Sequence, residues 1–486
     1  MLRIIYGTAG TGKSAAIMDE IRRGAGSGER YILLVPEQYS HEAERELCAV
    51  CGDGLSLYAE VLSFTGLARE ISSECGGAAN EYLDKGGRLL CMALAADGLY
   101  SRLRVYGAAR RKAELQTMLL GAVDEFKSAC VTSEQLLDAA ETCEGALGDK
   151  LHDLGLILEA YDGVVANGRA DPSDRLSVLA QQVGQCSMNE RTHVFVDGFT
   201  DFTAQERRVL EALLLKGVRL TVCLGCDELH GGSEVFALSR ITAAALLKFA
   251  ADNGVKAQTE RREGESTKAK PLGEFCENMF SYRAVEAGDA EDRIKIISAA
   301  DMNAECEFAA AEAVSLVRDT GCRWRDIAVC AKGFDDYRLP LESAFSRFGA
   351  PIYTARKADM LSKPLPMLIE SAYEIILGGW EADDVFDYLR TGFGGLDTDE
   401  CDELENYVFM WQLHGSAWKR AENWRLHPEG YGKQPDEASE QTLEHINLLR
   451  ETARRPLMRF AENAAAATTA TEQAQALASL FEDLHL

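Results

Sequence analysis

The stretch Leu2-Arg3-Ile4-Ile5-Tyr6-Gly7-Thr8-Ala9-Gly10-Thr11-Gly12-Lys13-Ser14 decides the fold of this 486-residue chain. Residues 2 to 6 read as a short buried strand, and the spacing of apolar residues predicts an amphipathic helix over Lys13 to Arg23. Between them, G-x-x-x-x-G-K-[ST] stands in the strand–turn–helix context that gives the pattern its meaning. Its glycines let successive backbone N–H groups turn inward around a phosphate, and the helix N-terminus adds positive potential. Gly7, Thr8, Ala9, Gly10, Thr11, Gly12, Lys13 and Ser14 are therefore the expected nucleotide ligands. Lys13 reaches terminal phosphates and Ser14 ligates Mg²⁺, so ATP with Mg²⁺ is the expected cofactor pair. The competing reading is a Gly-rich turn with a coincidental Gly-Lys-Ser; the strand before it and the helix after it argue against coincidence.

Working outward, Tyr31 to Val35 is a second strand ending at Pro36, and Ser40 to Cys48 has helical spacing. A β-α-β-α opening implies a parallel sheet. His193 to Val196 and Arg219 to Leu224 fit that sheet, ending in Asp197 and in Gly225-Cys226-Asp227. Asp197 supplies the strand-end carboxylate that holds Mg²⁺ through its water shell, unless it only caps the following turn. Next comes Gly198, where a hydrolysing helicase-type ATPase carries the Glu that orients water. Binding thus reads as intact and hydrolysis as impaired, with no catalytic residue assigned.

Residues 81–185 carry almost only helical periodicity and read as an insertion into a first α/β domain made of 1–80 plus 186–270. The charged run Glu260 to Lys270 reads as a linker. A second βαβ domain is expected over 271–395, with strands at Arg293 to Ala299, Ile327 to Ala331 and Ala350 to Tyr353. The region 396–486 is expected to be helical, still periodic and uncapped at its last residues, as in a chain that stops inside an element.

Composition narrows the function. With 47% hydrophobic and 27% charged residues the chain is globular, and no apolar stretch is long enough to span a membrane or act as a signal peptide. A net charge of −27 argues against indiscriminate wrapping of nucleic acid, while leaving room for a local basic groove. Fourteen scattered Cys read as free thiols of a reducing compartment, hence a cytoplasmic location. Cys48/Cys51 and Cys223/Cys226 offer a four-thiolate metal or redox site in principle, with buried thiols the better reading. Arg102, Arg104, Arg110, Arg111 and Lys112, interleaved with Tyr100 and Tyr106, are either a phosphate track or a solvated helix face. Neither a G-x-S-x-G elbow nor an H-E-x-x-H pattern occurs.

Several ordered blocks carry a family resemblance: residues 4 to 14, Leu-Leu-Val-Pro-Glu-Gln-Tyr-Ser (33–40), Val-Leu-Ser-Phe-Thr-Gly-Leu-Ala-Arg (61–69) and Val-Phe-Val-Asp-Gly-Phe-Thr-Asp-Phe-Thr-Ala-Gln-Glu (194–206). Trp-Arg-Asp-Ile-Ala-Val (324–329), Gly-Ala-Pro-Ile-Tyr (349–353), Lys-Pro-Leu (363–365) and Asp-Asp-Val-Phe-Asp-Tyr-Leu-Arg-Thr-Gly (383–392) extend it along nearly the whole chain. Together they resemble the AddB family, second subunits of bacterial AddAB helicase-nucleases. The resemblance implies an α/β, superfamily 1 helicase-like architecture of two RecA-like P-loop domains, each with a helical insertion. It implies an AddA-like partner in a heterodimer, break processing for recombination, and a scaffold that scans single-stranded DNA for Chi. It also implies a C-terminal nuclease braced by an iron–sulfur cluster, neither expected in these residues. Gln38, Ser40, Phe64 and Phe202 match segments that form the family's Chi-reading surface; for Phe64, packing between sheet and helix is the competing reading.

Four departures from active helicases agree with a lost motor. The first strand starts at Leu2, leaving no upstream adenine-reading Gln segment; Gly198 replaces the Glu; Gly225-Cys226-Asp227-Glu228-Leu229-His230 lacks the Gln of Gly-Asp-x-x-Gln; and Lys332 stands where related motors carry Arg. Gly66 and Arg69 stand where members place larger contacts, so the DNA sequence read differs or recognition is absent. Two alternatives stay open: an active translocase in which Asp201 or Glu206 replaces the missing base, and a nucleotide-gated module that does not act on DNA.

Overall fold

Six parallel strands build the sheet of the N-terminal half: β1 (Leu2–Gly7), β2 (Arg30–Leu34), β3 (Ala59–Leu62), β4 (Thr192–Val196), β5 (Arg219–Gly225) and β6 (Ala257–Arg261). Their order is β3-β2-β4-β5-β1-β6. The computed structural model describes residues 1–52, 54–76, 81–263, 270–278, 294–354 and 360–486. It divides into two compact units, Met1–Ile297 and Ser298–Leu486.

The middle strands are covered on both faces, as parallel strands require. Ile5, Leu33, Phe195 and Cys223 pack under α1 (Lys13–Arg23) and α2 (Ser40–Cys51). Ile4, Leu34, Val194 and Val222 pack on the opposite side, in one core with Phe64, Leu67 and Ile71 of α3 (Phe64–Glu74). Strands β3 and β6 were not foreseen in the sequence. The edge strand β6 is almost wholly exposed and polar, so it has no apolar alternation to betray it. It takes Glu260 and Arg261 from the expected linker, whose residues 264–269 lie outside the described ones.

The insertion is built from α4 (Lys85–Gly98), α5 (Ala113–Ser128), α6 (Ser133–Thr142) and α7 (Ala146–Val165), around Met92, Leu119, Ile157 and Tyr161. A buried polar cluster seats it. Arg88 and Lys127 converge on Asp171, at 2.9 and 3.2 Å, and Tyr161 donates to the same carboxylate at 3.0 Å. The chain then returns to the sheet through α8 (Arg175–Gln182), whose Leu179 belongs to the sheet core. Helices α9 (Ala204–Leu215) and α10 (Ala237–Asp252) complete that layer, and α11 (Lys270–Asn278) falls within the first unit.

In the second unit, α12 (Met302–Thr320) and α13 (Phe334–Arg347) pack through Cys306, Ala310, Leu341 and Phe345. The strands expected beside them, Arg293 to Ala299, Ile327 to Ala331 and Ala350 to Tyr353, form no ladder among the described residues, and Arg293 lies outside those. A short apolar run becomes a strand only when neighbours take up its backbone groups. Leu368, Ala372 and Ile375 of α14 (Pro364–Gly378) are buried in the same core as the helices that follow. These are α15 (Ala382–Arg390), α16 (Thr398–Trp411), α17 (Ser416–Lys419), α18 (Glu437–Ala466) and α19 (Ala470–Asp483). The last helix, expected to run on uncapped, closes with His485 N–H on Glu482 C=O and Leu486 N–H on Phe481 C=O. Among the described residues, no helix is long and apolar enough to cross a membrane.

Candidate nucleotide-binding site

The carboxyl ends of β1, β4 and β5 meet at one edge of the sheet, where open α/β folds bind their ligands. The loop after β1 bends through Gly10 and Gly12, at φ +87° and +75°, a left-handed backbone that side chains resist. Gly7 is demanded by space: a Cβ there would lie 2.7 Å from Thr11 Oγ1 and 2.8 Å from the Arg262 carbonyl. Thr11 Oγ1 donates to Thr8 C=O at 3.0 Å, and Lys13 Nζ donates to the carbonyls of Gly7 and Thr8 at 2.8 and 2.7 Å. The ammonium thus arches across the loop it would share with a phosphate. No side chain caps α1 and no acidic residue stands in its first turn, so the positive end of the helix is unopposed. Ser14 follows Lys13 there, half-buried.

Asp197 closes β4, its N–H bonded to Leu34 C=O at 3.0 Å. Its charge is felt by Lys13, by the Tyr39 hydroxyl and by the Cys223 thiol, groups from three different elements at this edge. Burial lowers the Lys13 pKa, with Cys223 and Asp197 acting against that shift. Loop and carboxylate, separated by 183 positions between Ser14 and Asp197, stand at the same edge of the sheet.

Gly198 is more than a missing carboxylate. Its φ is +83°, and a Cβ would stand 3.1 Å from Pro36 Cδ and 3.9 Å from the Tyr39 ring. The backbone has taken a course that a Glu would strain. Of the two candidate substitutes, Glu206 caps α9, accepting from Thr203 N–H at 2.9 Å and Thr203 Oγ1 at 3.0 Å, and Asp201 is exposed in the loop before it. Asp227, in the position of the Gly-Asp-x-x-Gln carboxylate, accepts from Glu228 and Ser233 N–H, both at 2.7 Å, and from Arg240 at 3.2 Å. It organises its own loop.

Residues 4–273 match the family described as ADDB, N-terminal. The chain belongs to the AddB family. Curated relatives named as the B-type subunit of an ATP-dependent helicase/deoxyribonuclease are similar to it. The protein of Desulforudis audaxviator is 34% identical, with 99% of this chain and 44% of the relative covered. That of Acetivibrio thermocellus is 31% identical, with 94% and 41% covered. The chain therefore spans about two-fifths of the length of these relatives.

The candidate DNA contacts of this AddB-family chain divide. Gln38 is exposed, and Ser40, half-buried, donates to Glu37 C=O at 2.8 Å. Phe64 is buried at 5% exposure, its ring edge-on to Phe199 and Phe202 with centroids at 5.6 and 6.3 Å. Packing has taken Phe64 and engages Phe202, as the amphipathic phase of α3 requires. Tyr39 stands at the same rim, its hydroxyl donating to Glu46 at 2.8 Å. The basic cluster lies on the insertion with Arg110 and Arg111 on Asp97 at 2.9 and 3.3 Å, Arg104 on Asp149 at 2.9 Å, and Arg110 over the Tyr100 ring at 3.9 Å. The cluster lies in the connection between α4 and α5 and not on a helix face, and three of its five cations are paired with carboxylates. Every described Cys is a free thiol, and no group of three or more His, Cys, Asp or Glu stands ready for a metal among the described residues.

Proposed function

We propose that this chain is the nucleotide-binding, helicase-like part of the AddB-type subunit of an ATP-dependent helicase/deoxyribonuclease that processes DNA breaks, and that it clamps nucleotide with little turnover. The observation that carries the reading is the pairing of an ordered phosphate loop with a glycine, at φ +83°, in place of the water-orienting Glu. In this reading the loop N–H groups and Lys13 hold the phosphates. Ser14 and Asp197 hold Mg²⁺, which would neutralise phosphate charge when bound. The names of the relatives and the phosphate loop together favour a helicase-like scaffold of superfamily 1 type, with the six-stranded sheet as its first RecA-like domain. Its second RecA-like domain would be nucleated by α12 and α13. Its partner would be an AddA-like subunit, its location the cytoplasm, and its DNA ligand a single strand scanned for Chi over the rim that carries Gln38 and Ser40.

The test is binding of a labelled ATP analogue beside phosphate release, with and without single-stranded DNA. Saturable binding, weakened at least about tenfold by Lys13→Ala through loss of a charged hydrogen bond, with no DNA-stimulated release, is the expected result. Release that single strands stimulate and Lys13→Ala abolishes would sink the clamp in favour of a live translocase. Single-strand binding that ignores salt, or is absent, would remove DNA from the proposal.

A further inference from the structure

We propose that Cys75 and Cys186 are a modification site: a thiol pair that a disulfide oxidant of the glutathione type converts into a staple across the neck of the helical insertion. Cys75 caps α3 on the way into the insertion, and Cys186 lies just beyond α8 on the way out. The Cys75 Sγ rests 3.9 Å from Gln182 C=O, and the Cys186 Sγ donates to Val183 C=O at 3.1 Å. The two sulfurs therefore hang on consecutive peptide units. Two further bonds hold these segments side by side: Ser72 Oγ donates to the Gln182 side chain at 2.8 Å, and Ser187 N–H donates to Glu74 at 2.5 Å. Both Cys pack on one core, with Leu179 and Val183 beside them.

A disulfide needs Cα atoms roughly 4.4 to 6.8 Å apart; the two sulfurs rest on the carbonyls of neighbouring residues, whose Cα atoms are about 3.8 Å apart, and the bond asks for side-chain rotation and an adjustment of the neck, which the rate of linkage in the native protein measures. Reactivity is asymmetric. Cys75 is half-buried, whereas Cys186 is buried, which raises its pKa. Cys75 thiolate attacks one sulfur of glutathione disulfide, releasing one glutathione and leaving a mixed disulfide. Cys186, having lost its proton to solvent, attacks the Cys75 sulfur and releases the second glutathione. Two protein thiols become one disulfide, one glutathione disulfide becomes two thiols, and two electrons pass between them. The link would join the two crossings that carry the insertion, holding α3 to α8. A bond between Cys48 and Cys51, both in α2, would leave that neck untouched.

The test treats the full chain with oxidised glutathione, blocks remaining thiols, digests without reductant and identifies linked peptides by mass spectrometry. Expected is a Cys75–Cys186 peptide about 2 Da lighter than its two reduced halves, removed by dithiothreitol. It should be lost in Cys75→Ser and in Cys186→Ser, each checked by circular dichroism for an intact fold. The native protein should form it at least about tenfold faster than the chain in urea, where loop closure is entropically opposed. Stable glutathione on Cys75 with no linked peptide, or a link formed equally fast in urea, would overturn the proposal; both readouts need only the wild-type chain.

Discussion

Lys13 shows how much a single residue declares in sequence. Its position behind six loop residues predicts a cation over phosphates, and its ammonium lies between the Gly7 and Thr8 carbonyls. Gly198 declares only half of its role. The missing carboxylate is visible as a letter, whereas the positive φ and the Pro36 ring 3.1 Å from any Cβ belong to the folded backbone. From them follows an expectation opposite to simple repair: Gly198→Glu restores no DNA-stimulated phosphate release and lowers stability by roughly 1–3 kcal/mol in urea unfolding. Recovered turnover at unchanged stability would show that only a side chain was missing.

At the scale of elements, polar groups decide what apolar periodicity leaves open. Asp153 of α7, fully buried, accepts from the N–H groups of Arg104, Val105 and Tyr106, the nearest at 2.7 Å. Burial alone would raise its pKa, but those three donors and His152 carry it below the ordinary carboxylate value. A depressed carboxylate stabilises above its unfolded pKa, about 3.9, and that contribution fades as pH falls through the folded value. Asp153→Asn should therefore cost about 2 kcal/mol at neutral pH, a difference that shrinks on acidification. Urea unfolding of both proteins across pH 3 to 7 measures it, and a gap that widens in acid would refute the assignment. The helices of the insertion are legible at period 3.6, yet nothing in that period marks Asp153 as the ligand of a loop some fifty positions earlier. Phe64 illustrates the same limit: one aromatic letter serves a base or a core, and Phe199 and Phe202 take it for the core.

For the whole molecule, the division at Ile297 sets the energetics. Each unit has its own buried clusters, the first around the sheet and inside the insertion, the second around Trp380, Trp418 and Phe460 and between α12 and α13. Calorimetry should resolve two transitions, since separate cores unfold as separate cooperative units. A single transition whose calorimetric and van't Hoff enthalpies agree for all 486 residues would contradict that independence. The charge of −27 acts on both units, so moderate salt should raise both midpoints by screening self-repulsion.

By itself the sequence determined the glycine-rich loop between β1 and α1, four of the six strands, the helices between β3 and β4 and the glycine after Asp197, because each is written in neighbouring residues through period, glycine placement or motif. Only the tertiary structure decided that polar β6 joins the sheet, that the segments over 294–299, 327–331 and 350–353 pair with nothing described, that Arg110 and Arg111 are spent on Asp97, and that the Cys75 and Cys186 sulfurs rest on neighbouring carbonyls. The reason is physical. A strand edge, an ion pair and a thiol pair are relations between groups far apart along the chain, and neither their partners nor their solvent exposure is encoded in the local pattern around either one.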